Sequence, residues 1–392
     1  MLSFTADTPA LLAALTATAR FATKGNSGSS PIRDCILLTV GEESLTLHAS
    51  DPALGFTANP IPAVVKAPGA ICLPAAALLA AVKAVGDGAI AIVEAAGPDG
   101  KASNRVAIKA PGVAYTLVGM SAADYPARQP AEGGESLSFK VADILRAFAA
   151  VSPSIAPDDN RYGLNGVHME LRPASGPTPG LARLVSTDGN RLSFCDLPFA
   201  GTVALPPQSL FARVGVAALA NLLADADGAG DVTFTPSKRY VEVGTSAGTM
   251  FASFLSADFP DYRQVLPADG GYTQVVFNRA NLMRAVDRAL PFAGGTFADI
   301  VFTLTPGEDV KMASRKLDSG DAVITVEAVV EGDAVKLGLN GRYLRDALST
   351  MACDAVRIAF SRSLGPVMIV AEGEPVGASA SRLAVVMPLR LD

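Results

Sequence analysis

LVSTDGNRLSF, at residues 184–194, places two strand-like runs on either side of Asp188-Gly189-Asn190. Asp-Gly and Gly-Asn pairs tolerate the left-handed backbone that a tight reversal needs, so the stretch predicts a β-hairpin. The turn is followed at once by Arg191 and Leu192, one charged and one apolar side chain. Side chains carried on a rigid turn can form a small recognition surface on a sheet.

The elements around this hairpin recur three times along the 392-residue chain. One set of helix signals begins near residues 9, 141 and 279, and a second begins near 75, 214 and 342, so each set is spaced by about 130 residues. Alternating, strand-like runs follow the helices. The sequence therefore predicts an α+β fold of three tandem copies of a helix-plus-antiparallel-sheet unit, with domains at residues 1–128, 136–267 and 272–392.

Capping signals predict where several of these elements begin and end. Thr8 is the expected cap of the first helix, which would run to Phe21, and Pro74 is the expected first residue of the second. Asn278 and Asn340 are expected to cap the two helices of the third unit. The last strand is expected at residues 385–391.

The charges of the chain are segregated between predicted helices and the rest. The six helical windows carry ten basic and four acidic residues, a net charge of +6, which leaves −12 for the remainder of a chain with net charge −6. Basic helices in every unit favour a surface that holds a phosphate backbone without contacting base edges. The alternative is that these residues only cover solvated helix faces.

The usual signatures of enzymes and metal proteins are missing from the sequence. Four scattered cysteines without paired spacing predict free, buried thiols, and no metal ion or cofactor is expected. His48 and His168 lie in strand-like contexts and are expected to be structural or surface residues. A non-catalytic binding protein is therefore favoured; the alternative is a hydrolase that uses strand-end acids such as Asp188 and Asp196. The chain carries no signal-peptide or membrane-span pattern, so we expect a soluble, cytoplasmic protein.

Three runs together resemble the bacterial beta sliding clamp family, the processivity subunits of DNA polymerase III. They are NRYGLNG at 160–166 leading to TDGNRL at 187–192, FPDYRQVLP at 259–267, and VVMPLRL at 385–391. Each run alone is weak, but all three in this order within a threefold repeat are specific. The resemblance extends over the whole chain and is loosest in the first unit.

This resemblance implies a head-to-tail homodimer closed into a ring, with helices lining the hole around double-stranded DNA and no catalytic activity. It would associate with the nucleoid and bind the DNA polymerase III alpha subunit, the clamp loader, and other polymerases and repair proteins. The residues expected to face DNA are Arg20, Lys24, Lys83, Arg146, Arg161, Tyr162, Arg213 and Arg284. The hydrophobic pocket for partner peptides would be formed by Leu164, Thr187, Gly189, Asn190, Arg191, Leu192, Pro260, Val265, Val385, Val386, Met387, Pro388, Leu389 and Arg390.

Six positions depart from the family pattern. Asn190 stands where the family most often has His, and Leu389 replaces a Met, a swap that conserves volume. Asp392 extends the usual end of the chain by one residue. Residues 75–77 are alanines where the family often has basic residues, which leaves fewer expected DNA contacts in the first unit. These departures leave open a clamp paralogue dedicated to repair or to a mobile element.

Overall fold

The computed structural model describes residues 1–22, 31–97, 102–126, 135–157, 161–172, 180–201, 209–224, 230–266, 272–294, 298–360 and 365–391. Lys24 and Asp392 fall outside these ranges. Each α-helix of the described chain begins at the residue directly after the end of a strand, so the repeated element is a strand–helix pair. The helices are α1 Thr8–Ala19, α2 Ala75–Val85, α3 Val141–Val151, α4 Arg213–Ala224, α5 Arg279–Ala289 and α6 Gly341–Ser349.

The strands fall into three groups along the chain. Before residue 130 they are β1 Ser3–Asp7, β2 Cys35–Val40, β3 Ser44–Ser50, β4 Leu54–Ala58, β5 Ile61–Ala67, β6 Gly69–Pro74, β7 Ala89–Ala96, β8 Ala102–Ala110, β9 Val113–Val118 and β10 Met120–Ser121. The next group is β11 Leu137–Lys140, β12 Gly166–Arg172, β13 Leu181–Thr187, β14 Arg191–Pro198, β15 Leu210–Ala212, β16 Asp231–Pro236, β17 Tyr240–Thr245 and β18 Gly248–Ser253. The last group is β19 Thr273–Asn278, β20 Asp299–Leu304, β21 Val310–Lys316, β22 Gly320–Val326, β23 Ala328–Glu331, β24 Val335–Asn340, β25 Ala355–Phe360, β26 Val367–Ala371 and β27 Arg382–Val386.

The chain divides into two compact units. The larger segments of the first are Met1–Val141 and Ala217–Phe254, and those of the second are Ala142–Ala200 and Leu255–Asp392. A 14-stranded sheet in the first unit runs β11-β16-β17-β18-β4-β3-β5-β1-β7-β8-β9, with β2, β6 and β10 joined to it at β3. The second unit holds a nine-stranded sheet, β15-β12-β13-β14-β27-β26-β25-β19-β23, and a four-stranded sheet, β22-β21-β20-β24. The α+β class with antiparallel sheets is confirmed, and the three predicted domain ranges stay a prediction.

The helix boundaries confirm the predicted caps of α5 and α6 and correct those of α1 and α2. Asn278 and Asn340 accept hydrogen bonds from backbone N–H groups two or three residues ahead, at 2.9–3.3 Å. At α1 the cap is Asp7, whose Oδ2 accepts from the Ala10 N–H, while Thr8 is buried as the first helical residue. Pro74 is likewise the residue before α2. A strand runs directly into each of these helices, and its last residue takes the capping position.

Several strands of the structure were not predicted from the sequence. β1, β5 and β6 were not expected, and β27 ends at Val386 instead of residue 391. β1 has only five residues, β5 buries only its first residue, and β6 buries three residues in succession, so none of them gives a long alternation of apolar and polar residues. The predicted hairpin at residues 184–194 is confirmed. β13 and β14 are antiparallel, and Leu181 lies opposite Pro198 at one end of the pairing and Thr187 opposite Leu192 at the other.

The four cysteines are free thiols, as predicted. Cys35, Cys72 and Cys195 are buried, and Cys353 is half-buried. Burial raises the pKa of the Cys72 thiol to about 12, because the thiolate would lose its hydration. These thiols are therefore protonated at neutral pH.

A buried ion pair supports the hairpin. The Arg183 guanidinium binds both carboxylate oxygens of Asp196, at 2.6 and 2.8 Å, and both side chains are only 6 % exposed. Arg183 also donates to the backbone oxygens of Ala378 and Ala380 and stacks on the Phe194 ring at 3.9 Å. Burial lowers the pKa of Arg183, but the hydrogen bond and charge of Asp196 outweigh it and raise the pKa overall. Arg183 thus joins β13, β14 and the segment before β27.

Replacing Arg183 should be costly because a buried carboxylate would lose its main partner. We expect Arg183→Met to lower the free energy of unfolding by about 3 kcal/mol, measured by urea denaturation. The matched control is Arg357→Met, which breaks the more exposed Arg357–Glu372 pair on the same nine-stranded sheet and should cost about 1 kcal/mol or less. Equal costs for the two variants would contradict a supporting role for Arg183.

Candidate functional site

The hairpin turn is held by hydrogen bonds from its own side chains. Gly189 has a positive φ of 88°, a conformation that favours glycine. Asp188 Oδ1 accepts from the backbone N–H groups of Asn190 and Arg191, at 2.9 and 3.0 Å. Thr187 Oγ1 accepts from the Gly189 N–H and donates to the Arg191 carbonyl oxygen. Because the backbone of the turn is fixed in this way, the points from which the Asn190 and Arg191 side chains extend are fixed as well.

A cavity of about 510 Å³ lies beside this turn. Leu164, Leu192 and Val385 form its apolar base and are almost fully buried, whereas Val265 and Met387 at the rim are 42 % and 39 % exposed. The base is assembled by the sheet, since β14 pairs with β27 so that Leu192 lies opposite Val385. The cavity is lined by Arg161, Gly163, Leu164, Thr187, Gly189, Asn190, Arg191, Leu192, Asp258, Phe259, Pro260, Asp261, Tyr262, Val265, Val385 and Met387.

The Arg191 side chain connects the turn to helix α6. Its Nε donates to Asp188 Oδ2 at 2.9 Å and its Nη1 to Asp346 Oδ2 at 2.6 Å. The guanidinium lies 4.2 Å from the centre of the Tyr343 ring, and the side chain is only 14 % exposed. Burial raises the pKa of Tyr343, as does Asp188, while Arg191 and a hydrogen bond with Asn190 lower it. Arg191 thus joins the turn to α6, which contributes no residue to the cavity lining.

Arg161 covers the other side of the turn. Its Nη2 donates to the Asp188 carbonyl oxygen at 3.4 Å, and a Cβ atom at Gly189 would come within 3.1 Å of its Nη1. A side chain at position 189 would therefore be both strained and crowded. Arg161 was expected to face DNA, and the structure places it in the cavity lining.

Aromatic side chains from the segment after β18 form another wall. Phe259 stacks on His168 with ring centres 5.1 Å apart, and the Tyr262 hydroxyl donates to Glu170. Burial raises the pKa of Tyr262 to about 12, and the Glu170 carboxylate adds to the shift. Burial also lowers the pKa of His168, as does Arg263, while Glu170 raises it. His168 is thus neutral at pH 7 and packs as a structural residue, as the sequence predicted.

Ten of the fourteen predicted pocket residues line this cavity, and Val386, Pro388, Leu389 and Arg390 do not. Successive strand residues face opposite sides, so Val386 packs into the core of the third repeat while Val385 faces the cavity. Beyond Met387 the chain runs to β24, where the Leu389 N–H donates to the Gly338 carbonyl oxygen at 2.8 Å. Phe259 and Tyr262 also line the cavity and were not among the predicted residues, although both lie in the run at 259–267.

The basic residues expected to face DNA are exposed wherever the structure describes them. Arg20 and Lys83 border a groove between α1 and α2 in the first unit. Arg146 pairs with Asp143 at 2.8 Å, and Arg284 Nη2 donates to Asn281 Oδ1 at 2.6 Å. Arg213 is the exposed first residue of α4. Lys24 and the Tyr162 side chain fall outside the described residues.

The acids considered for hydrolysis are engaged in structural contacts. Asp188 accepts from the turn N–H groups and from Arg191, and Asp196 pairs with Arg183 and Arg172. Within the described ranges, His, Cys, Asp and Glu side chains form no group of three or more that could hold a metal ion. In the same ranges, helices are too short or too polar to cross a bilayer.

Known proteins with a similar sequence and fold identify the family. Residues 139–261 match the central domain, and residues 263–390 the C-terminal domain, of the DNA polymerase III beta subunit. A beta sliding clamp from Caulobacter vibrioides is 26 % identical over 92 % of this chain and 93 % of its own length. The beta sliding clamp of Escherichia coli is 26 % identical over 94 % of both chains.

Solved structures agree with the sequence matches. A sliding clamp from Pseudomonas aeruginosa, crystallised with griselimycin bound, is 26 % identical and superposes over 100 % of both chains with a TM-score of 0.85. The likeness thus covers the first repeat, where the sequence resemblance is loosest. The chain belongs to the DNA polymerase III beta subunit family, the sliding clamps of bacterial DNA replication, which are processivity factors without catalytic activity.

Proposed function

We propose that the 510 Å³ cavity beside the hairpin binds short peptide segments of replication and repair proteins. Its apolar base would bury the hydrophobic anchors of an extended peptide, as grooves for linear motifs do. Exposed Val265 and Met387 would close over those anchors. The partners are the DNA polymerase III alpha subunit, the clamp loader, and other polymerases and repair proteins. The single observation that carries this proposal is that residues from all three sequence runs that resemble the family line one apolar cavity.

We also propose that two copies of the chain form a head-to-tail ring. Within the described chain, β9 pairs only with β8, and β22 pairs only with β21, so each sheet has an open edge. Val118 on β9 is 62 % exposed and Val323 on β22 is 68 % exposed. Open, apolar edges favour strand addition, and pairing β9 of one copy with β22 of the other would cover both.

Double-stranded DNA would pass through this ring at the nucleoid in the cytoplasm. The proposed DNA-facing residues are Arg20, Lys24, Lys83, Arg146, Tyr162, Arg213 and Arg284, whereas Arg161 belongs to the cavity lining. Their charge would hold phosphates without contacting base edges, so the ring could move along any sequence. The net charge of −12 outside the helical windows would keep DNA away from the remaining surface.

The pocket predicts a specific loss of peptide binding. Met387→Ala should weaken binding of a peptide from the clamp-binding segment of the polymerase alpha subunit by about tenfold. The variant loses the apolar contact between the half-exposed Met387 side chain and a hydrophobic anchor of the peptide. Leu391→Ala is the control, since Leu391 is 44 % exposed and lies outside the cavity lining. Titration by fluorescence anisotropy measures both. Equal affinity of the Met387 variant and the wild type would contradict the pocket assignment.

The proposed ring predicts a dimer of twice the 40.1 kDa chain mass. Val118→Lys should shift the protein toward monomer in light scattering at micromolar concentration, because a charge would be buried at the strand edge. Val64→Lys is the control: Val64 is 69 % exposed, but β5 has both neighbours in its sheet. A monomeric wild type would overturn the ring.

DNA binding through phosphates predicts a measurable salt dependence. Arg284→Ala should weaken binding to duplex DNA and lower the slope of log affinity against log salt by about 0.9. The control is Arg357→Ala, because Arg357 lies on strand β25 and pairs with Glu372. Titration of a fluorescent duplex at several salt concentrations gives both slopes. An unchanged slope for the Arg284 variant would remove that residue from the DNA-facing set.

A further inference from the structure

Asp346 on helix α6 does not line the 510 Å³ cavity beside the hairpin (the partner cavity), but it contacts Arg191, which does. Asp346 Oδ2 accepts from Arg191 Nη1 at 2.6 Å, yet Asp346 is absent from the cavity lining. We propose that Asp346 is a positioning residue for peptide binding, because it holds the Arg191 guanidinium in the cavity wall. This inference rests on the proposed function of the cavity.

The two carboxylates that bind Arg191 differ in what they hold it to. Asp188 is three residues away on the same turn, so its pair with Nε moves with the hairpin. Asp346 is 155 residues away on α6, and its pair with Nη1 fixes the guanidinium relative to a separate element. Without Asp346 the guanidinium would keep its contact with Asp188 and lose its fixed direction. The long-range pair therefore determines where the remaining N–H groups of Arg191 point.

Those remaining groups are what a peptide would contact. A guanidinium has five N–H donors, and the ion pairs with Asp188 and Asp346 occupy the Nε donor and one of the two on Nη1. Since Arg191 lines the cavity, the others can donate to carbonyl oxygens of a bound chain. A donor in a fixed position loses less conformational entropy on binding than a mobile one. Asp346 would thus strengthen peptide binding without touching the peptide.

The space behind the Arg191 guanidinium is not completely filled by side chains. A second cavity of about 10 Å³, enough for one water molecule, is lined by Arg191, Asp346, Tyr343 and Val385 among others. It is separate from the partner cavity but shares Arg191 and Val385 with it. Side chains therefore do not completely fill the space on this side of the guanidinium. The contacts with α6 that fix its direction are the ion pair with Asp346 and the Tyr343 ring, and of these only the ion pair acts on one particular N–H group.

Asp346→Asn tests this role because the amide keeps the shape of the carboxylate and removes its charge. The measurement is anisotropy titration with the polymerase alpha-subunit peptide against the wild type, Asp346→Asn, Arg191→Ala and the double variant. We expect Asp346→Asn to weaken binding about fivefold and Arg191→Ala at least as much. In the Arg191→Ala background, Asp346→Asn should have no further effect, because Asp346 acts through Arg191.

The control is Asp287→Asn. Asp287 lies on α5 and forms an exposed ion pair with Arg345, which lies on α6 next to Asp346. Asp287→Asn should leave peptide affinity unchanged, and thermal unfolding of every variant should lie within a few degrees of the wild type. Should the Asn variant unfold below the assay temperature, Asp346→Ser takes its place in the same titrations. A purely structural role of Asp346 would weaken binding equally with or without Arg191.

The outcomes separate the two proposals. If Arg191→Ala weakens binding but Asp346→Asn does not, the positioning role is overturned and the pocket stands. Additive losses in the double variant would also overturn the positioning role. If the wild type binds no peptide, the proposed function of the cavity fails, and the positioning role fails with it.

Discussion

The contact between the Arg191 guanidinium and helix α6 is the constraint on which the shape of the cavity wall beside the hairpin depends. A hairpin tip alone has no reason to keep one orientation toward a helix far away in the chain. Here one side chain forms an ion pair with Asp346 and lies over the Tyr343 ring. Because the guanidinium is largely buried, its charge requires both carboxylate partners. The direction of the turn is therefore set by electrostatics as much as by packing.

Beneath this contact, a second group of ionic interactions holds the sheet that carries the turn. Arg183 and Asp196 join neighbouring strands and the segment before β27, and Glu170 accepts from Tyr262 and Arg263. The pairing of β14 with β27 then brings residue 192 opposite residue 385. Apolar side chains distant in sequence thus meet at the cavity base because the backbone ladder aligns them. The ionic groups keep the walls in place above it.

The sequence predicts what depends on local chemistry and fails where distant segments decide. The turn at 188–190 and the caps Asn278 and Asn340 follow from short-range hydrogen bonds, so their residue types predict them. Val386, Pro388, Leu389 and Arg390 were expected to line the pocket because they belong to the continuous run at 385–391, and they do not line it. In the structure, strand alternation turns Val386 inward, and the bridge to Gly338 carries Leu389 away. Asp346 gave no local signal at all, because its role exists only where α6 meets the hairpin.

Asn190 illustrates how such a site can change its residues and keep its geometry. The family resemblance leads to the expectation of His at this position, and both His and Asn carry polar side-chain atoms that can form hydrogen bonds. Burial raises the pKa of the Tyr343 hydroxyl and the Asn190 side chain lowers it, so a polar group at this position acts on α6 beside Arg191. The Asn190 backbone N–H is held by Asp188 whatever the side chain is. The substitution therefore alters the chemistry of the cavity wall while the turn that carries it stays in place.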